Sequence, residues 1–318
     1  MKPERRSVER LRIATRGSAL ARWQAQHVAD GLRGRHAGLV VDLVVVETLG
    51  DRSPERAIWE LGGQGVFVKE VQAAVLDGRA DLAVHSAKDL PSSPSLATPG
   101  LVLAAVPERG DPRDVLVGRS LSAIPAGGTV ATGSSRRRAQ LVDLRPDLTF
   151  AGLRGNIETR LASARQFSAV VVAAAALERL GRRAEVAEVL EPAVMVPQVG
   201  QGALAVECRQ DDAVTLTLVA ALDHRPSRRA VEAERGFLAT LGGGCELPAG
   251  AFAVEAPDGA LRLRAVLATL DGRVVLRDEL RAAPGADPTE VGRSLGRRLL
   301  DAGGGRSLLA GAGSPISD

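Results

Sequence analysis

The sequence predicts an α/β protein in which one strand, loop, helix plan occurs twice and a small antiparallel sheet follows. Three observations carry this. Apolar strands alternate with helical stretches as far as about residue 209, a pattern that implies a mainly parallel sheet with helices on its faces. The passage from strand to helix at Leu11 to Leu32, through Arg16-Gly17-Ser18, has a counterpart at Thr129 to Thr132, through Gly133-Ser134-Ser135. After about residue 223, strand-like runs are separated by Asp258-Gly259 and Asp271-Gly272, a dipeptide that favours tight hairpins.

Leu11 to Thr15 (LRIAT) is read as the first strand and about Ala19 to Leu32 as its helix. Leu39 to Glu47 is the next strand, followed by a charged, glycine-bearing loop and a helix from Val66 to Leu76. Phe67, Val71, Ala74 and Val75 fall on one apolar face of that helix. Asp81 to Val84 is a third strand, ending in the polar run His85-Ser86-Ala87-Lys88-Asp89. In the second half, an arginine-rich helix starts at Arg136 and another opens after Leu153-Arg154-Gly155, with Asn156 as N-cap. Ala169 to Ala173 is a further strand, and Gln198 to Arg209 reads as a glycine loop feeding a strand. A helix near Ser227 to Leu241 precedes Gly242-Gly243-Gly244-Cys245, and one from about Pro288 to Leu300 covers the hairpin sheet. The tail from Gly303 is expected to be partly mobile.

Composition narrows the function classes. With 318 residues and 45% hydrophobic content, the chain is long enough for two or three domains with proper cores. Lys and Arg number 41 against 38 Asp and Glu, and aromatics are 2% with no tyrosine, which argues against a nucleic-acid reader and its stacking rings. The first ten residues, MKPERRSVER, lack the apolar core of an export signal. The longest apolar run, Ala169 to Leu177, is about half of the roughly 20 residues a membrane helix needs. A cytoplasmic protein without membrane or nucleic-acid partners is expected. Two cysteines in unlike contexts suggest free thiols in a reducing compartment, and four histidines without a close pair or a CxxC give no support to a metal site.

Three arginine-bearing helix starts stand out: Arg16-Gly17-Ser18, Gly133 to Arg138, and Arg154-Gly155-Asn156 with Arg160. Small residues there expose backbone N–H groups at the positive end of the helix dipole, and an arginine fork pairs bidentately with a carboxylate or phosphate. A ligand with several acidic groups would suit them, although surface arginines at helix starts are also common. Lys88-Asp89 lies just past a strand, where open α/β sheets place ligand groups. Two readings of Asp89 stay open on local context: a carboxylate that stabilises a transient cation or shuttles a proton, or a loop residue capping Leu90-Pro91. His85 is read as a satisfied polar residue. Cys245, after three glycines, is either an accessible thiol or a buried one, whereas Cys208 in a strand-like run is read as buried.

Taken together, the segments IATRGSALARWQA, VFVKE, ADLAVHSAKDLP, GDPRDVL, LRGNIETRL, VGQGALAVECR and GGGCELPAG resemble the porphobilinogen deaminase family, also called hydroxymethylbilane synthases, in order and spacing. The resemblance runs from about residue 11 to residue 253. It implies two lobes like those of periplasmic binding proteins plus a small C-terminal α/β domain with a three-stranded antiparallel sheet. Domain 1 would comprise about 1–104 and 204–222, domain 2 about 105–203, and domain 3 about 223–318.

The resemblance also implies roles. Cys245 would carry a dipyrromethane cofactor through a thioether, and Asp89 would stabilise the cation formed when porphobilinogen loses ammonia. Four additions and hydrolysis would release hydroxymethylbilane for tetrapyrrole and haem biosynthesis. Arg16, Arg136, Arg137, Arg154, Arg160 and Arg179 match carboxylate-binding positions, with Ser18, Lys88, Thr132, Ser134, Asn156 and Gln201 nearby. A monomer whose partner is the small molecule porphobilinogen is expected. Gln64 stands where many relatives have lysine, Glu60 where some have another, and Gly133 where serine is frequent, so substrate carboxylates are expected to meet fewer cations and one hydroxyl fewer. The competing reading is a non-catalytic two-lobe anion-binding or sensor protein, which would need neither Cys245 nor Lys88-Asp89.

Overall fold

A computed structural model of the chain describes residues 10–48, 68–93, 97–242 and 247–311. These residues form two compact units. The first comprises its described residues up to Leu90, then Thr98–Glu108 and Leu204–Arg225; the second takes Arg109–Ala203 and Pro226 onward, with a short piece from Pro91.

In the first unit, β1 (Arg10–Arg16) leads into α1 (Ala19–Arg35), where Ser18 is the N-cap and its hydroxyl accepts from the Ala21 N–H. Buried Gln24, Ala25, Val28, Ala29 and Leu32 recur with helical spacing, so one stripe of α1 faces the sheet. β2 (Val40–Val46) pairs parallel with β1, Ile13 opposite Leu43. The helix expected from Val66 is described as α2 (Lys69–Leu76), with Val71, Ala74 and Val75 buried; Val66 and Phe67 lie outside the described residues. β3 (Leu82–Ser86) ends in a single 3-10 turn, Ala87–Asp89. β4 (Leu101–Ala105), β10 (Leu204–Arg209) and α6 (Ala213–Ala220) complete the unit. Alternation along β1 divides the core. Leu11 and Ile13 pack with Val28, Leu32, Leu82 and Leu204 on one face, and Ala14 packs with Val71, Val75 and Ala83 on the other.

The second unit repeats this layout with β5 (Asp114–Gly118), β6 (Thr129–Ala131), α3 (Ser135–Leu144), β7 (Thr149–Ala151), α4 (Ile157–Ala162), β8 (Ala169–Ala173), α5 (Ala174–Arg179) and β9 (Val186–Leu190). Strand order is β2-β1-β3-β10-β4 in the first sheet and β7-β6-β8-β5-β9 in the second. Each has three parallel strands followed by two antiparallel pairings. The sheets are therefore mixed rather than mainly parallel. The antiparallel members, β5 and β10, are the first strands made after the chain passes from one unit to the other. They enter their sheets without a helical crossover, which is what enforces parallel pairing.

The remainder of the second unit is α7 (Arg225–Thr240), the meander β11 (Ala249–Glu255), β12 (Leu261–Ala268) and β13 (Val275–Ala282), then α8 (Pro288–Asp301) and α9 (Gly305–Gly311). Both Asp-Gly hairpins form, with Gly259 and Gly272 at positive φ. Phe237 of α7, Leu261, Leu263 and Leu267 of β12, and Leu295 and Leu299 of α8 make one core. α7 and α8 cross at glycine: a Cβ on Gly236 would run into the Thr289 carbonyl, and one on Gly292 into that of Ala233. Within the tail α9 forms, and Leu308 and Leu309 pack against this core; residues 312–318, the rest of the tail expected to be partly mobile, lie outside the described residues.

Candidate functional site

The first unit places four of the expected residues at one end of its sheet. β1 and β3 are adjacent and parallel, so the segments leaving their carboxyl ends, Arg16 to Ser18 and Ala87 to Asp89, are neighbours. The carboxylate of Asp89 is half-buried and makes no hydrogen bond or ion pair among the described residues, which does not fit a capping residue. Lys88 precedes it in the same turn. Behind the turn, His85 is buried with its Nε2 3.2 Å from Glu207 Oε2, and Gln72 donates to the same oxygen at 2.8 Å. The Nε2 nevertheless makes no hydrogen bond among the described residues, so the satisfied state expected of His85 is not met by this contact. Cys208 is fully buried in β10, and burial pushes its thiol up to about 11.

In the second unit the arginine-rich start of α3 departs from the surface-exposed picture. Ser134 is the N-cap and accepts from the Arg137 N–H, while Thr132 Oγ1 accepts from the Ser134 N–H. Arg136 and Arg137, however, are 3% and 6% exposed and converge on Asp114, which is fully buried at the start of β5. Arg137 donates to Asp114 Oδ1 through Nε and Nη2, and Gln201 Nε2 donates to the same oxygen. Burial alone would raise the Asp114 pKa, but the two guanidinium charges and these hydrogen bonds hold it well below the ordinary carboxylate range. Arg136 is shifted downward, because its burial outweighs its attraction to Asp114.

The other expected residues lie around this cluster or beyond it. Gln201 donates to the Pro112 carbonyl as well, and Arg179 donates to the Gly202 carbonyl at 2.6 Å. Burial pushes Arg179 down to about 10. Asn156 is the N-cap of α4, its Oδ1 accepting from Thr159, and Arg160 Nε donates to the Gly155 carbonyl. Arg154 is exposed. Cys245, Gln64 and Glu60 lie outside the described residues.

Three residues that the sequence reading did not select hold this region together. Arg109 donates to both carboxylate oxygens of fully buried Glu234 and to the Gln201 carbonyl, and Glu234 also accepts from the Gly200 and Ala253 N–H groups. Asp114 is the third. A signal for Glu234 was present in the sequence: it falls among Ala230, Val231, Ala233 and Phe237, on the buried stripe of α7. Buried acids need partners, so an acid on an apolar stripe points to one.

A family model described as porphobilinogen deaminase, dipyromethane cofactor binding domain, matches residues 11–217, and one for the porphobilinogen deaminase C-terminal domain matches residues 228–301. The chain is 46% identical over 315 residues to a porphobilinogen deaminase of Nitratidesulfovibrio vulgaris, covering 96% of this chain and 98% of that one. It is 47% identical over 306 residues to one of Roseiflexus sp., covering 95% and 99%. Among solved structures, the methionine-binding protein MetQ is similar at 14% identity and a TM-score of 0.41, over 67% of this chain and 89% of that one. With both family domains matched in order and relatives aligned over almost their whole length, the chain belongs to the porphobilinogen deaminase family.

Proposed function

We propose that this chain deaminates porphobilinogen and joins four such units head to tail on a dipyrromethane cofactor, releasing hydroxymethylbilane for tetrapyrrole biosynthesis. Its family membership supports the activity, and the half-buried carboxylate of Asp89 at the sheet end, unpaired among the described residues, is the observation that carries the chemistry. The second unit fits a group bearing carboxylates. Among the described residues, Arg136 Nε and Nη2, both donors, are buried without a hydrogen-bond partner, as is the acceptor Gln201 Oε1, beside a cluster with two guanidinium groups and one carboxylate. Buried polar groups are nearly always paired, so the two Arg136 donors call for an anion.

When bound, the dipyrromethane supplies the nucleophilic pyrrole carbon that primes chain growth; Cys245 would hold it through a thioether. Arg136, with Thr132 and Ser134 beside it, would take an acetate or propionate group, and exposed Arg154 with Asn156 another. Asp89 acts on the substrate. As the aminomethyl C–N bond of porphobilinogen breaks and ammonia leaves, positive charge spreads over its ring, and the Asp89 carboxylate stabilises it by Coulomb attraction and by accepting the ring N–H. A negative charge in a half-buried position interacts more strongly than one in bulk water. Lys88 and Arg16, from the same sheet end, would hold the incoming carboxylates. The division into domains 1–104 with 204–222, 105–203 and 223–318, the monomeric state and a cytoplasmic location belong to the same reading. Among the described residues no helix is long and apolar enough to cross a membrane.

Intact mass of the purified chain tests this. The expected result is an excess mass equal to one dipyrromethane, absent from Cys245→Ala, together with turnover of porphobilinogen. An unmodified, inactive chain would instead identify a non-catalytic anion-binding protein.

A further inference from the structure

Arg136 and Arg137 are adjacent in sequence and share one carboxylate, but they share it unequally. Arg137 spends its Nε and Nη2 edge on Asp114 Oδ1, at 3.0 and 2.7 Å, and its Nη1 on the Val171 carbonyl of β8 at 3.0 Å. Every nitrogen of that guanidinium has a protein partner. Arg136 reaches the cluster through Nη1 alone, which lies 2.8 Å from Asp114 Oδ2 and donates to the Val196 carbonyl at 2.6 Å. Its Nε and Nη2 are buried with no hydrogen-bond partner among the described residues. On a guanidinium, the Nε and Nη2 hydrogens point the same way and match the two oxygens of a carboxylate. One arginine therefore has this bidentate edge filled by protein, and its neighbour has the same edge buried and without a partner among the described residues.

We propose that Asp114 is a positioning residue that gives the two arginines different tasks, locking Arg137 as an internal strut against β8 and tethering Arg136 by one nitrogen so that its Nε and Nη2 edge takes a pyrrole carboxylate. The proposal rests on the reading above that Arg136 binds such a carboxylate. Charge balance supports it: two guanidinium groups against one carboxylate leave an excess positive charge in the interior, a costly arrangement that an anionic ligand relieves. The backbone of β11 contributes as well. A Cβ on Gly250 would come within 2.8 Å of Arg136 Cδ and 2.5 Å of the Pro197 carbonyl, so this strand lies against the arginine only because residue 250 is glycine.

The test compares Asp114→Asn, Arg136→Ala and the double variant. The first readout is the rate at which cofactor-free full-length chain gains the cofactor mass when porphobilinogen is added; the second is the melting temperature. Each single variant is expected to slow loading about tenfold, roughly the worth of one charge-assisted bond. Because Asp114 acts through Arg136, the double variant is expected to load no more slowly than the slower single, whereas independent effects would multiply to about a hundredfold. Multiplied losses, or normal loading by Asp114→Asn, overturn the proposal while leaving the carboxylate reading intact. Normal loading by Arg136→Ala overturns both. Should Asp114→Asn fail to fold, Asp114→Glu keeps the buried charge and moves it by one methylene; it is expected to fold and load several-fold more slowly, and loading at the parent rate overturns the proposal.

Discussion

Arg109 and Glu234 meet at 2.6 Å in the interior of the second unit, joining the segment that enters the unit to the middle of α7. Glu234 is fully buried, and its two oxygens also receive the Gly200 and Ala253 N–H groups. Removing Arg109 leaves the Glu234 carboxylate buried without its counter-charge and the Gln201 carbonyl without its donor. Arg109→Ala is expected to lower stability by about 3–5 kcal/mol, read as a fall in the denaturant midpoint at unchanged slope. A midpoint within error of the parent would show that the pair is replaceable by water.

Asp89 has no partner to lose among the described residues. Asp89→Ala should therefore melt like the parent, within about 0.5 kcal/mol, while turnover falls about 10²-fold or more. Steady-state rates and a melting curve on one preparation separate the two effects.

Acid should act through Asp114. Its folded pKa lies below the unfolded value, so the unfolded chain binds the proton first and the stabilisation is present above the unfolded pKa of about 3.9. It is lost as pH falls through the folded value. Stability measured from pH 5 downward should decline less steeply in Asp114→Asn than in the parent, and parallel curves would assign acid lability to other carboxylates.

Cys208 titrates in the opposite sense. Its thiol is raised to about 11 against an unfolded value of about 8.5, so the native state favours the neutral form. The resulting stabilisation is complete below about pH 8.5 and is lost as pH rises through about 11. At pH 8 the native protein should leave Cys208 unmodified by a thiol reagent, and denaturant should expose it, as peptide mapping would show.

Gly292 and Gly236 let α7 and α8 approach backbone to backbone. Gly292→Ala has nowhere to place its methyl group and should cost about 1–3 kcal/mol through overpacking, visible as a lower melting temperature. An unchanged melting temperature would mean that the helices part without penalty.

Much of this architecture is legible in the sequence because its signals are local. Ala169 to Ala173 is an uninterrupted apolar run and forms β8 with those bounds, and the Asp-Gly pairs mark both hairpins. β7, with three residues, and the half-exposed β4 and β9 carry no clear period; they are strands because of their neighbours in the sheet. The direction of β5 and β10 depends on where the chain goes, which no local pattern records. The site divides similarly. Asp89 follows a readable strand, but the burial of Arg136 and Arg137 depends on Asp114, 23 residues before Arg137. Two arginines at a helix start look solvated until that distant carboxylate is known.

The place of β10 between β3 and β4 bears on how the protein is made. A nascent chain that has emerged only as far as Ala203 holds β1 to β4, yet β4 has no strand to pair with, because its neighbour β10 is still inside the ribosome. The first sheet is thus finished only after every strand of the second has left the ribosome, and the segment synthesised earliest waits longest for its edge.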